Sequence, residues 1–408
     1  MKRIVFTISI SCVLFACTTQ EHEPLVKTGI KPDIVTNIKV TNTPGGADIV
    51  YDLPSSPNLL YVEARYKLEG KGRSTEKIVK SSMYRNMLNL EGFADTLTHT
   101  VTLYTVTRDE TYSDPVKVQI SPLTPPIQTV LKSITAQPDF GGVRVSFRNE
   151  EKKDYIVYTL VRDSTDSRWI AYDRLFTNAP ERSYAVRGLE SKKTKFAFCL
   201  QDQWQNNSDT VFAELTPIYE EFLDKTLWQA LRLPSDWITP EYSDRSIERM
   251  WDGKHGVYDY FFMRLVGCPA LPNWISFDLG VKWKLSRLKV WQYCGAKKPG
   301  YLYGLSNPKI FEIYGWTGEE KPKDEWTADW KLIAHCESVK PSGLPYGQSN
   351  EEDWAYALAG EDFDIDFEAP PVQYIRFKSI STWTNRVNLL IDEISFWGQN
   401  PDHTSSEE

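Results

Sequence analysis

Trp274-Ile-Ser-Phe-Asp-Leu-Gly280 is the stretch of sequence that decides the fold class. Apolar residues alternate with other residues in it, so that Ile275, Phe277 and Leu279 share one side. Alternation of period two, closed by a glycine, predicts a β-strand with one face on a hydrophobic core. A second alternating stretch, Ile391–Gly398, also ends in glycine. We interpret the two stretches as the opening and closing strands of one β-sandwich.

The composition of the chain favours several β domains. Its 408 residues are enough for two or three domains. The 24 prolines and 22 glycines suit many turns, and short alternating runs between turn residues are plentiful. The net charge of −8 at pH 7 argues against a nucleic-acid partner, because binding to phosphates needs clustered lysine and arginine side chains.

The N-terminus has the features of a secretion signal. A positively charged start precedes an apolar run, residues 4–15, that is too short to span a bilayer stably. The run continues into Leu14-Phe-Ala-Cys17, which resembles a bacterial lipobox. That resemblance implies cleavage before Cys17, so that residues 1–16 are the signal peptide and Cys17 carries lipid. The alternative is an ordinary signal peptide in which the cysteine is incidental.

Residues 17–31 are expected to form the lipid anchor and a polar tether. The residues directly after Cys17, Thr-Thr-Gln-Glu-His-Glu, resemble in their acidity the surface-export tag of lipoproteins in Bacteroides-type bacteria. This resemblance implies a location on the outer membrane, facing the cell surface. Acyl chains on the cysteine would hold an otherwise soluble protein on that membrane.

The same sequence pattern occurs once in residues 32–123 and again in residues 127–217. Each unit ends with the sequence Leu-Thr-Pro. Turn glycines of the first unit recur 96 residues later: Gly45 matches Gly141, and Gly92 matches Gly188. A repeat of this size with about seven short strands predicts tandem immunoglobulin-like or fibronectin-type-III-like sandwiches. Such modules usually act as spacers. The Thr-Pro-Pro sequence at residues 124–126 is expected to be a short, stiff linker.

Residues 222–400 are expected to form a third domain, followed by a disordered tail at residues 401–408. This domain holds 12 of the 14 tryptophans, so a function based on aromatic contacts belongs here. We expect a short helix over residues 220–232 and then seven strands. Long loops are expected at residues 294–307 and 337–361.

Seven short segments of the third unit occur in the order found in discoidin-like domains. They are Trp251-Asp-Gly253, Trp274–Gly280, Pro308–Gly315, Trp330–Ala334, Tyr374–Lys378, Ser381-Thr-Trp383 and Asp392–Gly398. The unit thus resembles the coagulation-factor type C, galactose-binding-like jelly roll. The whole chain resembles Bacteroides-type surface lipoproteins of uncharacterised function, which tend to accompany glycan-uptake systems. We therefore expect an all-β chain with two tandem Ig/fibronectin-III-like sandwiches followed by a discoidin-like β-jelly roll.

The loops at one end of a jelly roll form its binding face. Sugars present C–H faces that stack on tryptophan or tyrosine rings, and hydroxyls that need paired donors and acceptors. Two loops, at residues 294–307 and after Ser381, offer aromatic side chains beside polar ones. The candidate carbohydrate-binding residues are Trp291, Tyr293, Tyr301, Tyr303, Trp383, Asn385 and Arg386. A further aromatic cluster spans residues 258–262. The alternative is that these rings fill the sandwich and cover its rim.

The resemblance also implies a structural calcium ion between the Asp-Gly turn and the final strand. Its ligands would be Asp252, backbone carbonyls up to residue 256 or 257, and Glu393. Oxygen ligands suit calcium, but Lys254 and His255 stand where a further oxygen side chain would help. The alternative is that Asp252 only caps its turn. No other cofactor is expected.

Four cysteines follow the presumed lipidation site: Cys199, Cys268, Cys294 and Cys336. The sequence has no Cys-x-x-Cys pair and its five histidines are scattered, which argues against a structural zinc site. A single disulfide, for example between Cys268 and Cys294, and buried thiols are both consistent with the sequence.

Catalytic motifs are absent from the sequence. It contains no Gly-x-Ser-x-Gly, no His-Glu-x-x-His and no phosphate-binding P-loop. The acidic segments at residues 351–353 and 361–366 are a candidate carboxylate pair for glycoside hydrolysis. A solvated loop and the outer face of a strand explain them better, so we expect a non-catalytic protein.

Two functions fit this sequence. The first is a surface lipoprotein that binds a polysaccharide or glycoconjugate glycan through loops of its C-terminal jelly roll, within a glycan-utilisation system. The second is a structural or protein-docking component of an outer-membrane uptake complex, which contacts transporter components through the same domain.

Overall fold

The computed structural model describes residues 29–56, 58–70, 73–162, 167–256, 262–298 and 300–401. Within these ranges the chain consists of short strands arranged in sandwiches, with two short α-helices, which confirms the predicted all-β class. The expected signal peptide, Cys17 and most of the tether lie outside the described residues. So do residues 258–261 and most of the expected tail. In the described part, the helices are all too short or too polar to cross a membrane.

The first sandwich consists of seven strands in two antiparallel sheets. Its strands are β1 (Thr36–Thr43), β2 (Gly46–Asp52), β3 (Leu59–Gly70), β4 (Arg73–Ser82), β5 (Met87–Glu91), β6 (His99–Thr107) and β7 (Val116–Ile120). One sheet has the order β1-β2-β5 and the other β4-β3-β6-β7. Alternate residues of β2, namely Ala47, Ile49 and Tyr51, are fully buried between the sheets.

The second sandwich repeats this topology strand for strand. It comprises α1 (Pro126–Lys132), β8 (Thr135–Asp139), β9 (Gly142–Arg148), β10 (Tyr155–Arg162), β11 (Trp169–Thr177), β12 (Glu181–Arg187), β13 (Thr194–Asp202) and β14 (Val211–Leu215). Its sheets have the orders β12-β9-β8 and β11-β10-β13-β14. Helix α1 begins inside the segment predicted to be a stiff linker. Pro126 is tolerated there because the first turn of a helix does not use its own N–H groups.

The third domain is a jelly roll built around one long strand. Its elements are β15 (Glu221–Phe222), β16 (Gln229–Ala230), β17 (Met263–Leu265), β18 (Asn273–Trp291), β19 (Pro308–Trp316), β20 (Trp330–Glu337), α2 (Glu351–Ala359), β21 (Glu361–Asp364), β22 (Val372–Thr382), β23 (Leu389–Ile391) and β24 (Glu393–Gln399). The main strand order is β15-β24-β18-β22-β19-β20. Strands β16 and β21 also pair with β18, and β17 pairs with β23.

Strand β18 belongs to both layers of the jelly roll. Its first part, up to Trp283, pairs with β22, and its second part, from Lys284, pairs with β24. The register shifts between Asp278 and Trp283, where the strand turns from one layer into the other. The sequence predicts separate strands at residues 274–280 and 285–293, and both belong largely to the single bent strand β18. Ile275, Phe277 and Leu279 are wholly buried in the core, as predicted.

Two predicted elements of the third domain are wrong. Residues 220–232 form the short strands β15 and β16 around a single 3₁₀ turn, Lys225–Leu227, rather than a helix. The loop expected at residues 337–361 contains α2. Asn350 is the N-cap of this helix: its side chain accepts from the backbone N–H of Asp353, and the Asp353 side chain accepts from the backbone N–H of Asn350.

The joint between the first two sandwiches is made by Trp204 and Asn206. Trp204 of the second sandwich packs against the core of the first. Asn206 Nδ2 donates to the carbonyl of Gly92, at 2.9 Å. A Cβ atom on Gly92 would lie 3.0 Å from the Trp204 ring and 2.8 Å from Leu68, and the residue has φ +98°. The absence of a side chain at Gly92 therefore allows Trp204 of the second sandwich to pack closely against the first.

The joint between the second and third domains is an ion-pair network. Arg187 Nη2 lies 2.7 Å from Asp364 Oδ1, and Arg144 Nη2 lies 3.0 Å from Asp364 Oδ2. Glu220 lies between Arg187 and Arg287, at 3.3 and 3.2 Å. Both joints consist of several directional contacts, so the three domains are held in a defined arrangement.

The four cysteines in the described part of the chain form no disulfide. Cys268, Cys294 and Cys336 are buried, and Cys199 is half-buried on β13. Burial raises the pKa of the Cys268 thiol to about 12 and also raises that of Cys336. The structure therefore agrees with the second alternative, in which these residues are buried thiols.

Candidate functional site

Two loops meet at one end of the jelly roll, and Asn307 organises the first of them. Asn307 Nδ2 donates to the carbonyls of Tyr293, Tyr301 and Gly304 at 3.0–3.1 Å, and its Oδ1 accepts from the N–H of Tyr293. Its own carbonyl accepts from the N–H of Trp383 in the second loop, at 3.0 Å. One buried amide therefore fixes the shape of the loop 294–307 and its contact with the loop after Ser381.

Three of the predicted carbohydrate-binding residues are buried, which corrects the expectation that they offer a stacking face. Tyr303, Tyr293 and Trp291 are exposed by only 2%, 6% and 8%. Tyr293 stacks on Phe262 with a centroid separation of 3.8 Å, and Trp291 stacks on His255 at 4.3 Å. For these three residues the alternative interpretation holds, because their rings fill the space beneath the loops.

A small second core explains the burial of Tyr303. Tyr303, Cys294 and Leu302 of the first loop pack against Trp354 and Ala357 of α2. The two long insertions of the domain thus cover each other's apolar side chains. Periodicity within either insertion does not reveal this mutual packing, which is why the sequence alone suggests a surface position for Tyr303.

Trp383, Asn385 and Arg386 form a turn that faces solvent. The Trp383 ring is half-buried: it meets Tyr303 edge-to-face, with centroids 5.1 Å apart, and Lys309 Nζ lies 5.2 Å from its centroid. Asn385 and Arg386 are exposed, and Asn385 adopts φ +55°. Thr382 closes the turn by accepting from the N–H of Asn385 and donating its hydroxyl to the carbonyl of Arg386.

Tyr301 and Tyr346 add aromatic surface at the same end of the domain. Tyr301 is half-buried against Tyr293, with centroids 5.8 Å apart. Tyr346, which the sequence analysis missed, is 62% exposed and lies over Gly300 and Gly304. A Cβ atom on Gly304 would lie 2.9 Å from the Tyr346 ring. The pair of glycines that flanks Tyr301 was the available signal, since such glycines mark a close approach of another chain segment.

We call Tyr301, Tyr346, Trp383, Asn385 and Arg386 the loop-end site. A buried polar network holds Trp383 from behind: its indole N–H donates to Ser338 Oγ at 3.3 Å, and Ser338 donates to Glu361 Oε1 at 2.8 Å. Burial raises the pKa of Glu361 to about 7. The Trp383 ring is therefore held in one orientation by the residues behind it.

The described residues around Asp252 and Glu393 do not fit a calcium ion. Lys225 Nζ donates to Glu393 Oε1, and Arg249 Nη1 lies 2.9 Å from Asp252 Oδ2. The backbone N–H of Gly253 also donates to Glu393, at 3.1 Å. Cations and N–H groups therefore already face these carboxylates, where calcium would need oxygen atoms.

The carboxylates of Asp392 and Glu393 are both buried. Burial raises the pKa of Glu393 to about 7 and that of Asp392 to about 8. Asp392 accepts from the N–H of Gly256, at 2.7 Å. Within the described ranges, no group of three or more histidine, cysteine, aspartate or glutamate side chains is placed to hold a metal.

The acidic residues considered for hydrolysis serve structural contacts. The buried Asp353 side chain accepts hydrogen bonds from the N–H and hydroxyl of Ser342 and from the N–H of Asn350, the N-cap of α2. Asp362 pairs with Arg287 at 2.8 Å, and Asp364 belongs to the joint with the second domain. Glu361 is buried beneath Ser338. The sequence also predicted that residues 351–353 lie in a solvated loop, and this is wrong for Asp353, which is buried.

Three protein-family models match consecutive parts of the chain, and each is described as a domain of unknown function. They match residues 32–122, 123–226 and 251–398. No curated protein matches the chain.

Several solved structures are similar to parts of the chain. A SusE-like protein is 29% identical, with a TM-score of 0.44, and the match covers 67% of this chain and 99% of that one. CBM32-3, from a family 31 glycoside hydrolase of Clostridium perfringens, is 15% identical with a TM-score of 0.30, over 44% of this chain and 95% of that one. Two fibronectin type III domains of chicken tenascin are 12% identical with a TM-score of 0.21, over 45% and 99%.

Proposed function

We propose that this chain is a non-catalytic surface lipoprotein whose third domain binds carbohydrate through the loop-end site. The observation that carries the proposal is the position of Trp383, whose half-buried ring is held from behind and lies beside the exposed Asn385 and Arg386. The ring suits the C–H face of a sugar, and the amide and guanidinium groups suit its hydroxyls. Binding sites commonly combine an apolar contact with a few placed polar groups in this way.

The other two domains act as a spacer in this proposal. Lipid on Cys17 would anchor the chain to the outer membrane, and the two sandwiches would carry the third domain away from it. The joints at Trp204 and Arg187 keep this spacer from collapsing. The chain would then present a glycan to neighbouring components of an uptake system.

We propose that the protein is non-catalytic because the candidate carboxylates are buried or already paired. Asp353, Asp362 and Asp364 are engaged in caps or ion pairs, and Glu361 is buried. A glycosidase needs two carboxyl groups that flank a reachable bond. In the described part of the domain, these four residues do not provide such a pair.

Native affinity electrophoresis of the chain in gels that contain soluble polysaccharides tests the proposal. We expect at least one polysaccharide to retard the protein. We also expect the chain length of that polysaccharide to stay unchanged after incubation with the protein. Shortened products would contradict the non-catalytic assignment. In cells, Cys17→Ser should move the protein from the membrane fraction to the soluble fraction, and an unchanged distribution would contradict the anchor.

A second candidate function, protein docking, is favoured by one feature of the second domain. Trp169, Phe176 and Phe212 are exposed on its four-stranded sheet, and Trp169 and Phe212 have ring centroids 5.5 Å apart. Exposed apolar patches on a soluble domain often mark a contact with another protein. If this role is the main one, pull-down should recover a membrane partner, Phe212→Ser should abolish the recovery, and no polysaccharide should retard the chain.

A further inference from the structure

The outer face of one jelly-roll layer carries a fixed, exposed tryptophan. The loop between β19 and β20 folds back over the sheet and places Trp326 on it, with 40% of the residue exposed. Its ring meets Tyr314 edge-to-face at 4.9 Å and Trp274 at 5.3 Å between centroids. Trp326 is therefore part of a contiguous aromatic cluster on this face rather than a single exposed side chain, and such patches often mark binding sites.

Arg376 holds the Trp326 ring from below. This arginine is wholly buried, and its guanidinium carbon lies 4.6 Å from the centroid of Trp326 and 4.3 Å from that of Trp330. Its Nε donates to Ser276 Oγ at 2.9 Å, while its two terminal nitrogens have no hydrogen-bond partner in the described part of the chain. The nearby charges of Asp236 and Asp324 and the stacking on aromatic faces both stabilise the guanidinium, and the stacking fixes the orientation of Trp326.

Polar groups surround the exposed side of this tryptophan. Lys378 Nζ lies 5.5 Å from the Trp326 centroid and 2.9 Å from Glu312 Oε2, which also accepts from the Tyr314 hydroxyl at 2.9 Å. His335 Nδ1 lies 3.6 Å from Glu312 Oε1. The nearby Leu332, paired with Tyr314 across the strands, is also exposed. The face thus combines apolar surface with donors and acceptors in fixed positions.

We propose that this face is a second carbohydrate site, distinct from the loop-end site, which takes an internal sugar of a neutral polysaccharide. We call it the sheet-face site, and it consists of Tyr314, Trp326, Lys378, Glu312, His335 and Leu332. The inference rests on the proposed function, because it takes the ligand of the protein to be a glycan.

Two features decide the class of ligand. The lysine and glutamate neutralise each other, and Arg376 is shielded behind the rings, so an anionic sugar would find no uncompensated positive charge. Trp326 and Leu332, on the outer face of the sheet, are 40% and 50% exposed. A chain can therefore pass across this face in both directions, so the site does not require a chain end.

The test uses native affinity electrophoresis of the whole chain with soluble neutral polysaccharides as probes, namely β-glucan, xyloglucan, galactomannan and arabinan. We expect Trp326→Ala to weaken the binding of a retarding polysaccharide about tenfold, as for an aromatic contact residue. Lys378→Ala should weaken it in the same direction without disturbing the stacked rings. Tyr84→Ala, which removes an exposed aromatic side chain from the first domain, is the matched control and should leave binding unchanged.

The outcomes separate the two proposals. If a polysaccharide retards the parent chain and both Trp326→Ala and Lys378→Ala bind it equally well, the sheet-face site is wrong while carbohydrate binding stands. If none of the four neutral polysaccharides retards the parent but an acidic one does, the ligand class proposed for the sheet-face site is wrong. If no polysaccharide of either kind retards the parent, the proposed function itself fails.

Discussion

Lys225 Nζ donates a hydrogen bond to Glu393 Oε1, across 168 residues of sequence, at the place where the resemblance to discoidin-like domains implies calcium. Both side chains are almost entirely buried. Loss of one partner of a buried ion pair leaves the other uncompensated. We therefore expect Lys225→Met to destabilise the third domain by about 3 kcal/mol, measured by urea unfolding.

The same ion pair predicts that calcium does not stabilise the parent chain. Its melting temperature should be the same in EDTA and in millimolar calcium. Lys254→Met, which removes an exposed lysine from the neighbouring turn, is the control and should change neither stability nor the response to calcium. A clear rise of the parent melting temperature with calcium would contradict the structural argument and restore the metal.

Glu361 should make the stability of the third domain depend on pH. Burial raises its pKa from 4.5 to about 7 in the folded state. Its contribution is therefore fully present below pH 4.5 and is lost as the pH rises through about 7. Glu361→Gln keeps an acceptor for Ser338 and Gln292, so it should be more stable than the parent at pH 8, by about 1–3 kcal/mol, and equal to it near pH 4.5.

Urea unfolding at pH 5 and pH 8 measures this difference. Asp392 and Glu393 have raised pKa values and act in the same direction, but they are present in both proteins and cancel in the comparison. Glu337→Gln, at an exposed position on β20, is the control. Parallel pH profiles for the parent and Glu361→Gln would show that the folded pKa of Glu361 is not raised.

Arg187 should fix the angle between the second and third domains. It contacts Asp364, Glu220 and the carbonyl of Phe140, all at 2.7–3.3 Å. Part of this network is exposed, so each pair alone contributes little and its loss acts on geometry more than on stability. We expect Arg187→Met to broaden the distance distribution in small-angle X-ray scattering, while the exposed Arg182→Met does not. Identical curves for both variants would mean that other contacts hold the joint.

Alternation and repetition in the sequence predicted a core strand and the tandem sandwiches, while the jelly roll was implied by the resemblance to discoidin-like domains. The alternation of Ile275, Phe277 and Leu279 identified a core strand, and the recurrence of Gly45 and Gly141 identified the tandem sandwiches. Both signals are short-range, because a strand places every second side chain on the core and a repeated turn repeats its glycine.

The loop-end site could be predicted only in part, because it depends on contacts between distant segments. Tyr303 is buried by α2, about fifty residues later, and a single loop sequence does not show which neighbour will cover it. Lys225 reaches Glu393 only after the chain has closed the jelly roll. Trp326 escaped notice because a loop, without period, folds it back onto the sheet. Such contacts depend on tertiary packing, and the periodicity of a sequence segment carries no information about them.

Whether the loop-end site binds carbohydrate is decided by the affinity of Trp383→Ala for a polysaccharide that retards the parent chain. We expect this variant to stay folded, with a lower melting temperature because the ring packs on Tyr303, and to lose binding by about 30-fold, since Trp383 supplies the aromatic face of the loop-end site. Arg386→Ala should lose binding in the same direction, and Tyr84→Ala should not. Unchanged retardation of Trp383→Ala and Arg386→Ala, in gels where the parent binds, would contradict the account.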